Sequence, residues 1–452
     1  MEVDIIIKNG KIVTPSSIVE AGIAIDKGRF VAIAEEQNLP TAREVVNAKG
    51  NYILPGIIDE HVHTLDMGMA ETNENFITGS MAAAAGGVTT VFEMPLCIPA
   101  TTTLRAFQQK REVADKKFIV DFAFWGGAVP GNIDEIPKMV DAGAIGFKAM
   151  MAGSVPGVFE VLDDGMLLDA FRMIADCESV ATVHAENEVI LNHLMKKMKA
   201  ESKKDIHAFF EACPVLEEVE AISRAAMLAE EARCRLHIVH VSCPQGVEIV
   251  YKRREEGREI TCETGPHYLA LSQEDGDRLG PYLKFAPPVR SKEETEKLWE
   301  QLAEGKIEAL GSDHGPHPKE NKEKGWADIW EAGNGAIALE SFLPVLLSEG
   351  VNKGRISIQN LVSLVCENPA KLFGIYPQKG TIQVGSDADL VIVDMNKEGV
   401  IDAQKFHSLH KHSPFDGLEI KGMPVLTMVR GKVVAEEGNV TGEPGYGKFV
   451  RP

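Results

Sequence analysis

ILPGIIDEHVH, residues 53–63, is an apolar, strand-like run that ends in two imidazoles one residue apart. Seven further runs of the same kind follow it: VTTVFEMP (88–95), FIVDFAFWGG (118–127), GAIGFKAM (143–150), SVATVHAE (179–186), RLHIVHVS (235–242), EITCETGP (259–266) and KIEALGSD (306–313). Helical stretches of ten residues or more separate several of them, including Ile133 to Ala142, Val215 to Ala232 and Lys292 to Ala303, the last opening with Ser291 as cap and Glu294 at the third helical position. Eight βα units in a row favour an α/β fold of the closed TIM (β/α)8 type over a doubly wound sheet. A Rossmann reading also lacks its GxGxxG after the first strand.

Outside this region the texture changes. DIIIKNGKIV (4–13) reads as a strand, a Lys-Asn-Gly turn and a second strand, and short β-type runs continue from 20 to 34. DADLVIVD (387–394) and VLTMVRGKVVAEEG (425–438) repeat that texture at the far end. Neither group is large enough to bury its own face, so both are expected in one small β-sandwich built from the two chain ends. The expected division is 1–52 and 376–452 for that domain and 53–375 for the barrel.

Composition narrows the function classes. The 452 residues are 44% hydrophobic and 25% charged, which suits a folded α/β protein and excludes a largely disordered one. Asp and Glu outnumber Lys and Arg by 67 to 47, a formal charge of −20, and the short basic runs (Lys196, Lys197, Lys199; Lys252 to Arg254) are diluted by acids nearby, so no nucleic-acid partner is expected. Seven cysteines without a CxxC pair argue against a disulfide framework and for a reducing, cytoplasmic setting. There is no basic segment ahead of an apolar run at the N-terminus and no stretch of 18 apolar residues, so neither export nor membrane spanning is expected.

The chemistry is read from the strand ends. His61 and His63 leave the same face of the first barrel strand and can converge above its mouth. His184, His240 and Asp313 end strands five, six and eight, and in a barrel those ends face one pocket. Hydrogen bonding can excuse one buried imidazole; four His and an Asp at matching strand ends point to metal. Lys148, at the end of strand four, would repel divalent ions as an ammonium. As a neutral amine it can take up carbon dioxide to form a carbamate, whose two oxygens can bridge a pair of ions. The alternative is a Lys148 ammonium paired with Asp313 or Glu186.

HVH (61–63), AAAAGGVTTVFEMP (82–95), GFK (146–148), HAEN (184–187), HIVHVS (237–242), GPHYL (265–269), KFAPPVR (284–290) and GSDHGPHP (311–318) together resemble the cyclic amidohydrolases of the amidohydrolase superfamily, the group of hydantoinases, dihydropyrimidinases, allantoinases and dihydroorotases. The likeness covers essentially the whole chain and runs most strongly to the L-hydantoinases, through HVHTLDM (61–67), FWGGAVPGN (124–132), MMAGSVPG (150–157), HAENEVI (184–190), WEAGNGAIALE (330–340), GVNKGR (350–355) and SLHKHSPFDG (408–417). The resemblance implies that His61 and His63 bind the more buried ion and that Lys148, as N6-carboxylysine, bridges. It further implies that His184 and His240 bind the second ion, and that Asp313 ligates the first and acts as general base. Zinc is the usual metal of the group, and the donor set also suits manganese or cobalt. Backbone groups around Ala286 and Asn334 would hold the substrate ring.

Two ions sharing a water would lower its pKa and polarise a ring carbonyl, with Asp313 passing the proton on to the departing ring nitrogen. The expected reaction opens 5-substituted hydantoins to N-carbamoyl amino acids, with allantoin or a dihydropyrimidine as the alternative ring. Gly153 stands where D-selective relatives carry a Tyr, and Thr64, Leu65 and Asp66 stand where dihydroorotases place an Arg for a substrate carboxylate. Leu65 and Met151 are expected along an apolar side-chain pocket. His267, His314 and His317 are expected beside the ligands or on substrate loops, and His407, His410 and His412 on a loop or interface without chemistry. A one-metal deaminase on the same barrel would share HxH, two later His and an Asp, but needs no strand-four Lys. The expected partners are a small cyclic ureide and further copies of the chain, with a tetramer favoured.

Overall fold

The computed structural model describes residues 2–68 and 73–452. Eight short parallel strands alternate with helices through the middle of the chain. The first three, β1 (Ile57–Val62), β2 (Val88–Glu93) and β3 (Asp121–Phe124), form one sheet in the order β3-β2-β1. The other five are β4 (Phe147–Met150), β5 (Val180–His184), β6 (Arg235–Ile238), β7 (Ile260–Thr264) and β8 (Ala309–Leu310), and they follow one another in a second sheet. Every residue of β1 to β5 is buried, which is why these strands read as continuous apolar runs rather than as an alternation.

Backbone hydrogen bonds cross both seams between the two sheets. Ile145 donates to the Phe124 carbonyl at 2.9 Å and Gly126 to that of Gly146 at 2.9 Å, beside β3 and β4. His63 donates to the His314 carbonyl at 2.8 Å, and Val62 and His314 form a parallel bridge, beside β8 and β1. The helices Val215–Ala232 and Lys292–Ala303 occupy the ranges expected of them, and Ser291 and Glu294 complete a reciprocal capping box. In the expected helix at 133–142, a 3-10 turn precedes a shorter α-helix, Ile136–Asp141.

Strands from both chain ends share a seven-stranded sheet, in which Leu390–Val400 pairs antiparallel with Glu419–Val429 on one side and with Tyr52–Pro55 on the other. A four-stranded sheet of Val3–Lys8, Gly22–Asp26, Arg29–Ala34 and Ala42–Asn47 faces it across a shared apolar cluster that includes Ile7, Ile25, Phe30, Ile53, Leu390 and Met428.

Two readings change in detail. The run 53–63 is not one strand: it divides at Gly56, with Tyr52–Pro55 in the terminal sheet and β1 in the central region. A Cβ at Gly56 would lie 2.3 Å from Thr89 Oγ1 and 2.6 Å from Asp389 Cβ, so only glycine lets the chain cross there. The strands on either side of Lys8-Asn9-Gly10 do not form a hairpin but enter different sheets, the chain changing direction at Asn9 with φ 55°. The tail from Gly442 lies along its own chain, where Val450 donates to the Phe122 carbonyl at 2.7 Å and Phe122 to that of Lys448 at 3.0 Å. Among the described residues no helix is long and apolar enough to cross a membrane.

Candidate metal centre

β1 ends at His61 and Val62, and His63 follows it. His61 Nε2 stands 3.2 Å from Asp313 Oδ1, His63 Nε2 3.7 Å from the same oxygen, and the two Nε2 atoms 3.3 Å from each other. One ligand atom from each of these residues therefore lies within 4.8 Å of the others. His184, the last residue of β5, and His240, just past β6, make a second pair with Nδ1 of the first 2.9 Å from Nε2 of the second. The His61 and His240 rings are 5.3 Å apart, which joins the two pairs in one site at the strands' C-terminal ends. Asp313 and His240 hold left-handed backbone conformations, φ 47° and 42°, that side chains other than glycine rarely adopt.

Lys148, in β4, is 2% exposed. No hydrogen bond and no ion pair within 4.0 Å engages its Nζ among the described residues, so the pairing with Asp313 or Glu186 is not formed. Burial lowers its amine to about 8, against the pull of Asp313 and Glu263. About a tenth of it is then, at pH 7, the neutral nucleophile that carbon dioxide requires. Burial also drives His63 and His240 well below the ordinary imidazole range, helped by His61 at His63 and by His184 at His240, which leaves them neutral, the form that binds metal. Burial raises the Asp313 carboxyl, opposed by His61 and Lys148.

Beneath these groups lies a layer of charge that strand patterning does not reveal. Glu263, in β7, accepts a hydrogen bond from His61 Nδ1, which leaves Nε2 of that ring for the site. It also accepts from the His240 backbone N–H at 3.2 Å. His237 Nε2 lies 3.5 Å from Glu60 and 3.7 Å from Glu263. Burial opposes charge on His237, yet Glu263 and Glu60 raise it to about 9. Asp59 accepts from the Ser312 N–H at 3.0 Å, and burial raises its carboxyl to about 6. The signal available for these residues was an acid inside an apolar run, as in IIDEHVH and EITCETGP. At the end of β2, Glu93 accepts from Thr64 N–H at 2.9 Å and Thr64 Oγ1 at 2.8 Å, fixing the loop that follows the two imidazoles.

The donor set fits divalent ions. Imidazole nitrogens face each other at hydrogen-bond distance rather than facing protein donors, His240 Nδ1 is buried without a partner among the described residues, and the Asp313 carboxylate and the buried Lys148 amine border the same space. His314 lies beside this set, its Nδ1 accepting from the Ala338 and Leu339 N–H groups, while His267 is fully buried with neither ring nitrogen engaged among the described residues.

Of the expected ring-binding residues, Ala286 is half-buried, and neither its N–H nor its C=O makes a hydrogen bond among the described residues. Asn334 is exposed; its carbonyl accepts from His317 Nε2 at 2.6 Å and its N–H is unengaged. Gly335 donates to the Lys284 carbonyl at 3.0 Å, which ties the two loops together. Leu65 is buried with φ 54°, and Met151 is buried within the main apolar cluster. Gly153 has φ 78°, a conformation that disfavours any side chain there.

The amidohydrolase family model matches residues 52–434. Over 447 residues the chain is 53% identical to an L-hydantoinase of Paenarthrobacter aurescens, covering 99% of this chain and 98% of that one. It is 39% identical over 450 residues to an allantoinase of Rubrobacter xylanophilus, covering 99% and 98%. Among solved structures, an L-hydantoinase (dihydropyrimidinase) from Arthrobacter aurescens superposes with a TM-score of 0.98 at 52% identity, over 100% of both chains. A D-hydantoinase superposes with a TM-score of 0.92 at 36% identity, over 99% of this chain and 98% of that one.

Proposed function

The chain belongs to the amidohydrolase family and is a hydrolase acting on carbon–nitrogen bonds, and from that premise we propose that it opens 5-substituted hydantoins to N-carbamoyl amino acids. The observation that carries the reading is Lys148, a buried amine with no ion pair, beside the imidazoles and carboxylate of His61, His63, His184, His240 and Asp313. His61, His63 and Asp313 would hold one divalent ion and His184 and His240 a second, with Lys148 as a carbamate between them. Formation of that carbamate joins the amine nitrogen to carbon dioxide and releases one proton. Zinc is the first candidate, and manganese and cobalt suit the same donors. When bound, such ions polarise the ring carbonyl and lower the pKa of water.

The remaining steps belong to the chain. Asp313 accepts a proton from the attacking water on its carboxylate and returns it to the departing ring nitrogen as the amide C–N bond breaks. A hydantoin presents C=O, N–H and C=O in succession; the free N–H and C=O of Ala286 and the free N–H of Asn334 supply the complementary donor, acceptor and donor. An apolar 5-substituent then lies toward the loops after β1 and β4, near Leu65 and Met151. Preference for the L enantiomer is drawn from relatives alone.

We also read the eight strands as a closed (β/α)8 barrel, supported by the hydrogen bonds across both seams, and the two terminal sheets as one β-sandwich domain, with 1–52 and 376–452 about 53–375 as its outline except that the strand Tyr52–Pro55 carries the first boundary on to Gly56. Seven unpaired thiols support a cytoplasmic setting, and a homotetramer belongs to the same reading.

The test is turnover by the metal-loaded protein of both enantiomers of 5-benzylhydantoin, allantoin, dihydrouracil and dihydroorotate, with ions counted per subunit. The benzylhydantoins should lead. A kcat/KM for allantoin more than about tenfold above every apolar hydantoin, roughly 1.4 kcal/mol in transition-state binding, would replace this reading by allantoinase. Leading turnover of dihydrouracil would replace it by dihydropyrimidinase. Dihydroorotate should be poor, since a carboxylate buried beside Thr64, Leu65 and Asp66 finds no cation in that segment. A deaminase would instead release ammonia from an amino-substituted ring and bind one ion.

A further inference from the structure

The loop 330–335, which carries Asn334, has its backbone carbonyls held by side chains from outside it. Lys284 Nζ donates to the Ala332 carbonyl at 2.6 Å and to that of Trp330 at 3.4 Å. Lys322 Nζ donates to Gly335 at 2.9 Å, to Gly333 at 3.0 Å and to the carbonyl of Lys284 itself at 3.3 Å. His317 Nε2 donates to Asn334 at 2.6 Å. Five carbonyls within six residues are thus engaged by three side chains.

These lysines are costly where they stand. Lys284 is 6% exposed and Lys322 1%, and no carboxylate pairs with either within 4.0 Å among the described residues. Burying an amine without a counter-charge is unfavourable, and the compensation is the carbonyl dipoles they hold together with the rings beneath them, Phe209 at 5.7 Å from Lys284 Nζ and Phe285 at 5.9 Å from Lys322 Nζ. Burial lowers Lys322 to about 7 and Lys284 to about 8; as an ammonium Lys322 donates all three of its bonds, and as a neutral amine two of them. The loop they hold is pressed against the segment that bears Asp313. Gly315 donates to the Ala336 carbonyl at 2.8 Å, His412 Nε2 to that of His317 at 2.8 Å, and a Cβ at Gly335 would stand 2.7 Å from the Gly315 carbonyl oxygen.

We propose that Lys284, Lys322 and His317 are positioning residues that hold the 330–335 loop in register with the Asp313 segment, so that Asn334, its carbonyl committed to His317, meets the substrate ring with its N–H. The part concerning the ring rests on the function proposed above; the part concerning loop order does not.

Two measurements on the metal-loaded protein test it: amide hydrogen exchange across 330–336 and steady-state kinetics with 5-benzylhydantoin. In Lys322→Met and in His317→Leu, exchange in this segment should quicken by about tenfold or more. KM should rise by about fivefold, the size of one lost hydrogen bond, while kcat stays within about threefold and the metal content holds. His317→Gln, which retains a donor, should return KM and exchange toward the wild-type values. If Lys322→Met does not fold, the two His317 variants decide. Exchange unchanged in His317→Leu overturns the proposal, and so does faster exchange with KM unmoved. A wild-type protein that turns over no hydantoin defeats the function reading by itself, and loop order is then judged on exchange alone.

Discussion

At Lys148 the protein buries an amine that has no ion pair within 4.0 Å among the described residues, and the carbamate reading makes a sharp demand on that one side chain. Lys148→Ala should lose most activity and at least one ion per subunit, and a short carboxylic acid added to the variant should restore part of the rate by entering the space the carbamate held. Unchanged metal content and turnover would refute the assignment. Asp313 is tested differently. Asn keeps an oxygen ligand and nearly the same volume but cannot take a proton, so kcat of a metal-loaded Asp313→Asn variant should fall by about 10²-fold or more. Burial raises the Asp313 carboxyl, and a base works only when deprotonated, so wild-type activity should decline as pH falls through that pKa. The acidic limb should be missing from whatever rate the Asn variant retains, and near-normal turnover would show that another group moves the proton.

At the scale of elements, legibility followed burial. β1 to β5 are buried throughout and so stand out as apolar runs, and polar residues that end such runs, like His184, His240 and Asp313, announce themselves as exceptions. The same logic hid Glu263 and Glu60: within strands whose ends were already assigned, an acid reads as one more polar end residue, and its partner His61 or His237 is fixed only when neighbouring strands come into register. Lys322 lies in KENKE, Lys319–Glu323, a short helix whose charge pattern reads as solvated, and its burial depends on the fold of loops more than ten residues away. The terminal strands were legible as strands but not as a pairing, since Tyr52–Pro55 meets Leu390–Val400 across more than three hundred residues, and no local signal carries such a register. Gly56, where a single apolar run passes from one sheet to the next, is of the same kind.

At the scale of the whole molecule, the region of β1 to β8 and the terminal sheets meet at one buried ionic cluster. Lys379 Nζ reaches Asp389 at 2.6 Å and Asp387 at 3.2 Å, both just ahead of Leu390–Val400, and also Asp121 at the start of β3. The Arg430 guanidinium, after Glu419–Val429, pairs with Asp121 as well, while the Arg430 backbone N–H donates to Asp389 at 2.7 Å and the backbone N–H of Lys448, in the tail, to Asp121 at 2.8 Å. The three carboxylates could by themselves hold a cation, but the ammonium of Lys379 already stands among them. Its role is therefore structural, and removing it leaves three buried acids facing the Arg430 guanidinium and, at Asp387, the exposed Arg29 at 3.6 Å. Because breaking a buried pair from one side strands its partner's charge, Lys379→Met should lower stability by about 3–5 kcal/mol, measured as a fall in urea midpoint. Asp121→Asn added to that variant should return part of the loss, since it deletes one of the stranded charges. The ions per subunit and the KM of the folded Lys379→Met protein should match wild type, because the cluster is separate from the His61 and His184 pairs. A stability within about 0.5 kcal/mol of wild type would mean that Lys379 adds little to the hold between the terminal sheets and the β1 to β8 region, and an additional ion would show that the three carboxylates take a cation in its place.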